Sequence, residues 1–339
     1  MFFQKTFAEN KKAKARDQKN LKGLIMLKIG FYRLLQAIVV LWAAFTATFI
    51  LLQILPGDAI LIKFLNPEYG LNASEIANLR TNYGIDEPKI IQYFKTIGNF
   101  LTGDLGFSVQ AGVPVSDLIK TNLPATLKLA GLGFLVALIL AFLIALLFSF
   151  SPFQGLRNLF FALPGLFLAI PLFWLGIVFV QIFSFYLGWI SVIVPGPIEA
   201  MILPVVALAI PISAPLAQIL MRSLDEIELS PFIMVLKSKG ASHFRILVCH
   251  CLRNSALPVL TIAGLLFGEL ISGAVVTETV FGLNGIGKIT EQAVRSQDVS
   301  VLQAIVVVSS AAFVFINLVI DLFFPLIDPR LRQRTGGRR

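Results

Sequence analysis

Three groups of residues have side chains and spacings that suggest chemistry. Cys249-His250-Cys251, with His243 nearby, offers thiol and imidazole ligands for a metal. On a helix, neighbouring side chains point about 100° apart, so three consecutive ones do not converge on one ion. Zinc ligands are normally separated by a few residues, so the segment reads as surface packing and partner contact. Gly282-Leu283-Asn284-Gly285-Ile286-Gly287-Lys288 fits a glycine-rich phosphate loop, except that Ile289 stands where Ser or Thr would hold magnesium. An apolar run precedes it where a strand is needed, so the glycines read as a tight turn. ATP, if used, is then bound by another polypeptide. No catalytic triad, paired catalytic carboxylates or metal-hydrolase pattern occurs, and no catalytic, cofactor or metal site is expected.

Glu269 and Glu278 form the third group, two carboxylates inside one apolar run. Nine residues make about two and a half helical turns, so they fall on roughly opposite faces. Ionisable residues within a membrane segment are costly and face a cavity or a partner. Glu278 lies near the end of its run, where water can solvate it, and a structural role is expected. Glu269 is nearer the middle, and three readings stay open: lining a solute pathway, bonding to a neighbouring helix, or relaying protons.

The elements that hold these residues are membrane helices. The chain is 57% hydrophobic and 14% charged, with a mean hydropathy of +0.84, a balance that excludes an ordinary soluble domain. Six apolar runs are long enough to cross a bilayer: 34–55, 129–150, 158–183, 200–221, 255–280 and 300–320. The third contains Pro164 and Pro171, and the fourth Pro204, Pro211 and Pro215, which either kink the helices or are tolerated. Backbone groups in lipid must bond within their own segment, so the spans are helices. The alternation of a membrane barrel is absent.

Most of the 28 Lys and Arg fall in the N-terminal segment, the 151–157 turn, the 222–254 loop and the C-terminus. That asymmetry puts both termini in the cytoplasm. The net charge of +9 is therefore a topology signal rather than one for nucleic acid. Residues 1–26 form a basic, disorder-prone extension, and 328–339 a basic tail suited to anionic headgroups. No cleavable leader is expected. With only Cys249 and Cys251 present, both on the predicted cytoplasmic side, reduced thiols are expected.

Between the first span (27–55) and the core (123–327), residues 56–122 form a cap on the non-cytoplasmic side. In it Ile90, Tyr93, Phe94, Ile97, Phe100 and Leu101 share one helical face, which ends at Gly103-Asp104-Leu105-Gly106. The stretch Lys237–Pro258 is a basic island between two apolar runs. It is longer than a simple turn requires and reads as a docking element for a cytoplasmic partner.

Several ordered motifs carry a family resemblance over roughly 27–332. They include Leu55-Pro56-Gly57-Asp58, Tyr83-Gly84-Ile85-Asp86, Gly103-Asp104-Leu105-Gly106 with Ser108, and Leu123-Pro124-Ala125-Thr126-Leu127. Lys239-Gly240, His250 with Leu252-Arg253-Asn254, Glu278-Thr279-Val280-Phe281, Gly285 with Gly287, and Asp328-Pro329-Arg330 follow. Together they resemble the integral-membrane permease subunits of ABC importers for dipeptides, oligopeptides, nickel and related solutes. The resemblance implies an all-α, six-span protein of the bacterial inner membrane. It would carry a periplasmic cap between helices 1 and 2 and a coupling helix between helices 4 and 5, within 223–254. It implies pairing with a second permease, two cytoplasmic ATPases that bind ATP and Mg, and a periplasmic solute-binding protein. Lys239, Gly240, His250, Arg253 and Asn254 would serve ATPase coupling, Gly240 by permitting close backbone approach and the last three by steadying the following turn and helix start. Met234, Val235 and Leu236 stand where relatives have small residues, and Asn284 where they have proline. A proton-coupled carrier with Glu269 as relay is the competing reading.

Overall fold

The computed structural model describes residues 32–52, 75, 81, 87–193, 195–196 and 198–327. The basic extension, the motifs at 55–58 and 83–86, Asp328-Pro329-Arg330 and the tail lie outside the described residues.

Helices dominate. α1 (Tyr32–Leu52) precedes a cap helix, α2 (Lys89–Leu101). A two-residue antiparallel ladder follows, β1 (Phe107–Ser108) on β2 (Val113–Pro114). The core contains α3 (Val115–Phe150), α4 (Gln154–Ala169), α5 (Leu172–Phe179, extended by a π-helical stretch Val180–Tyr186) and α6 (Glu199–Glu228). Next come α7 (Pro231–Ser238), α8 (His243–Ile246), a π-helical turn (Leu247–Cys251) and α9 (Leu252–Phe281). The last two are α10 (Ile286–Arg295) and α11 (Val299–Ile327).

Among the described residues, α1, α3, α6, the Pro258–Phe281 part of α9 and the Val299–Val319 part of α11 are each long and apolar enough to span a bilayer. The expected third span, 158–183, is not one rod: α4 and α5 meet at 97°. Pro171 explains the break. Proline disfavours helical backbone in the residue before it, and Ile170 is extended at φ −89°, ψ 119°. The count of six holds if this bent pair is one span. Pro204, Pro211 and Pro215 lie inside a continuous α6, enclosed by neighbours that make them tolerable.

α6 is the central helix, with α3, α9, α4 and α5 packed around it. Small residues permit this. Ala137, Ala141 and Ala145 of α3 and Ala207, Ala209, Ala214 and Ala217 of α6 are buried. Leu208 fills the gap between Gly133 and Gly273, where added Cβ atoms would lie 2.9 and 2.8 Å from it. Lipid tails are as apolar as leucine, so close packing rather than expulsion from water holds such helices together.

The cap is pinned at two places. Tyr93 and Phe100 of α2 pack edge-on against Phe45 of α1, and Tyr93 also against Phe49, while Thr46 Oγ1 and Tyr93 Oη are 2.8 Å apart. The predicted apolar face is thus divided: Tyr93 and Phe100 turn to α1, and Ile90, Phe94 and Leu101 are exposed. Farther on, Ser108 Oγ donates to Asp298 Oδ2 at 2.7 Å and Gln110 N–H donates to the same oxygen at 3.2 Å. Asp298 is 2% exposed and precedes α11. Asp298→Asn presents an amide to these donors, and a loss of about 1–3 kcal/mol is expected. Faster proteolysis at 103–114 in detergent-solubilised protein would register it; an unchanged cleavage rate would show the tie to be dispensable.

Candidate coupling surface and membrane carboxylates

α7 starts where α6 ends. Pro231 occupies its first turn, where its missing N–H is harmless. Ile233 is 1% exposed and belongs to the main core, and Leu236 packs against that core. Phe232, Met234 and Val235 face outward, with Leu229 just before them. Two of the bulky residues that depart from the family pattern are therefore on the outer surface, and the third is an anchor.

Gly240 ends α7 at φ +77°. Its N–H donates to Lys237 O, and Ala241 N–H to Leu236 O. This is a Schellman closure, which needs a left-handed residue at that position. Among the described residues, and apart from its own chain neighbours, no atom lies within 4 Å of a Cβ placed on Gly240. Within the chain, the left-handed backbone angle alone calls for glycine, independently of the close approach to a partner that the resemblance implies. Lys239 is exposed beside it.

A polar and aromatic cluster ties this segment to the bundle. His243 Nδ1 lies 3.7 Å from Glu228 Oε1, His243 Nε2 lies 3.4 Å from Ser149 Oγ, and the ring meets Phe150 edge-on. Lys237 Nζ reaches Glu228 at 3.5 Å. Arg157 of α4 donates to Asp225 Oδ1 at 2.7 Å and covers the Phe148 ring. Partly exposed pairs contribute about 0–1 kcal/mol each. They fix direction, while Ile233, Ile246 and Leu247 provide the hold.

His250, Arg253 and Asn254 do not flank a turn, contrary to expectation. Helical backbone runs unbroken from His243 through the π turn into α9. A π turn shifts the backbone bonds by one residue. Here Asn254 Nδ2 donates to His250 O and Ser255 Oγ to Cys251 O, both at 2.9 Å. The side chain of Arg253 lies outside the described residues. Cys249 is exposed and Cys251 buried, so the two sulfurs face different surroundings, and burial pushes the Cys251 thiol above its usual range.

The two carboxylates occupy opposite faces of α9, as their spacing requires. Glu278 is 1% exposed, so water does not solvate it; α10 folds back over it. Thr126 Oγ1 donates to Glu278 Oε1 at 2.6 Å, and Gly287 N–H donates to Glu278 Oε2 at 2.6 Å. Ile286 N–H donates in turn to Thr126 Oγ1 at 2.8 Å. The glycine-rich turn and the first turn of α10 thus receive an anion from their own chain. Gly285 is extended, not left-handed; it is glycine because a Cβ there would lie 2.3 Å from the Glu278 carboxyl group. Gly282, at φ +66°, supplies the turn proper. Glu269 is exposed and has no hydrogen bond or ion pair with any described residue, so bonding to a neighbouring helix of this chain is not observed.

From sequence alone, Thr126 has no role beyond its motif, His243 reads only as a possible metal ligand, and Asp298 and Glu228 carry no local signal. Each acts through a partner distant in the sequence, or across a helix break.

The chain matches, over residues 131–333, the family described as binding-protein-dependent transport system inner membrane component. It is 32% identical over 317 residues to a putative peptide transport system permease protein of Brucella melitensis, covering 91% of this chain and 99% of that protein. It is also 32% identical over 310 residues to the oligopeptide transport system permease protein OppB of Haemophilus influenzae, covering 91% and 100%. Among solved structures, a chain of the inward-facing MetNI methionine ABC transporter is similar, with a TM-score of 0.49 and 18% identity over 62% of this chain and 96% of that one.

Proposed function

The chain belongs to the family of binding-protein-dependent transport system inner membrane components, and from that premise we propose that it is one of two permeases forming the passage of an ATP-driven peptide importer. Its partners are a second permease of the same kind, two cytoplasmic ATPases that bind ATP and Mg, and a periplasmic binding protein that delivers solute. Both termini and α7 lie on the cytoplasmic side, and the α2 cap on the other. Peptides are the favoured solute class because the full-length relatives carry that description.

The observation that supports coupling is α7: a short helix anchored from within by Ile233 and offering Phe232, Met234 and Val235 outward. An apolar patch of this kind marks a protein contact. An ATPase that grips it moves α8 and α9 with it, because Ile233 of α7 and Ile246 of α8 share one core across the Gly240 turn and helical backbone then runs from α8 into α9 without a break. The test is a gentle-detergent pull-down of the tagged chain from its native membrane. A second permease and ATP-binding subunits are expected; this chain alone, as a homo-oligomer, would favour the proton-coupled carrier. In the assembled complex, Gly240→Glu is expected to abolish uptake while leaving ATP hydrolysis and expression in place. A left-handed non-glycine residue costs about 1–2 kcal/mol and re-aims α7. Wild-type uptake by this variant would refute the role of Gly240.

A further inference from the structure

The exposed face of α9 differs from those of α3 and α5. Thr261, Leu265, Glu269, Ser272, Val276 and Thr279 recur at helical spacing along it, all exposed. The exposed residues of α3 from Leu135 to Leu147 are Leu135, Ile139, Leu143 and Leu147, and those of Leu172–Phe179 in α5 are Phe173, Trp174 and Ile177. Such apolar faces suit hydrocarbon. A stripe with a carboxylate and hydroxyls does not.

Glu269 sits at the midpoint of the Pro258–Phe281 span, about 17 Å of helix from either end. Its short side chain cannot reach a headgroup from there. A carboxylate at that depth in lipid costs about 2.5–3.5 kcal/mol on the most lenient scale. No Lys, Arg or His occurs in Pro258–Phe281, in the stretch of α3 from Leu129 onward, in α6 before Arg222, or in α11. Those helices therefore offer Glu269 no counter-ion, and among the described residues it has no ion pair.

We infer that Glu269 faces the water-filled passage and binds positively charged groups of the transported solute, so that it sets a preference for cationic over anionic cargo. This rests on the permease reading, and peptides supply the matching chemistry as terminal or lysine ammonium groups. Ser272 and Thr261, one turn and two turns away on the same face, provide neutral hydrogen-bonding groups along the same route.

The experiment uses the complete transporter in liposomes, with its binding protein and ATP. Two radiolabelled tripeptides, identical except for a central lysine or glutamate, serve as probes, and their affinities for the binding protein are measured separately. After correction for those affinities, the wild type is expected to favour the lysine peptide. Glu269→Gln should reduce that preference by about tenfold. Glu269→Asp should retain much of it and Glu269→Lys reverse it, with subunit recovery unchanged. An unaltered preference in Glu269→Gln overturns the inference. So does loss of the partner permease from purified Glu269→Gln complexes, which would make the residue an inter-subunit contact. If the wild type takes up neither peptide, the peptide reading fails first, before any variant is made, and this inference falls with it.

Discussion

Glu278→Ala is expected to lower the stability of the folded chain by about 2–5 kcal/mol, measured as a fall in unfolding temperature of the detergent-solubilised protein. The carboxylate receives the Thr126 hydroxyl and the Gly287 N–H, and both donors lose their acceptor in a buried site. Gly285→Ala should be damaging for the complementary reason. Its new Cβ would occupy the space of the Glu278 carboxyl group, 2.3 Å away. The decisive comparison is the double variant. Once the carboxyl group is gone, the added methyl has somewhere to go, so the combined loss should fall short of the sum by more than about 1 kcal/mol. Strictly additive losses would show that the two residues do not share one site, and the clasp between α9 and α10 would have to be abandoned.

The second large effect belongs to the outer face of α7. Met234 is 75% exposed, so Met234→Asp leaves the fold intact and the protein should reach the membrane in normal amounts. Uptake by the assembled transporter should nonetheless drop by about 30-fold or more, the loss expected when a central apolar contact of an interface is replaced by a charge. Ile233→Ala, one residue away, should behave in the opposite manner. It opens a cavity in the core, costs about 2–5 kcal/mol and lowers the amount of protein in the membrane. Wild-type uptake by Met234→Asp would remove α7 from the coupling route.

These neighbours show what a sequence reveals and what it withholds. Hydropathy runs identified the spanning helices because lipid imposes one solution on each segment, independent of its neighbours. The spacing of Glu269 and Glu278 placed them on opposite faces, since the helical period is local. Burial is not local. Glu278 lies near the end of its run, yet α10 covers it and Thr126, 152 residues earlier, contacts it. The prolines divide in the same way. Pro171 bends the chain, whereas Pro204, Pro211 and Pro215 sit inside a continuous helix, and only the surrounding packing distinguishes them. The resemblance singles out Gly240 for close approach to a partner; its left-handed backbone angle is a separate reason for glycine that composition does not encode. A helix within 223–254 was legible through the resemblance, while the division into α7, α8 and a π turn was not.

That π turn sets a phase. An α-helix advances about 100° per residue, and a π turn accommodates one residue more than the α ladder allows. Everything beyond Leu247–Cys251 is therefore rotated relative to α8 by about the angle of one residue. With ordinary α-helix there instead, Glu269 and Glu278 would each be swung through that angle, moving one away from its open face and the other out of its clasp. The turn works like a keyway on a shaft: it fixes which side of α9 is presented at every level below.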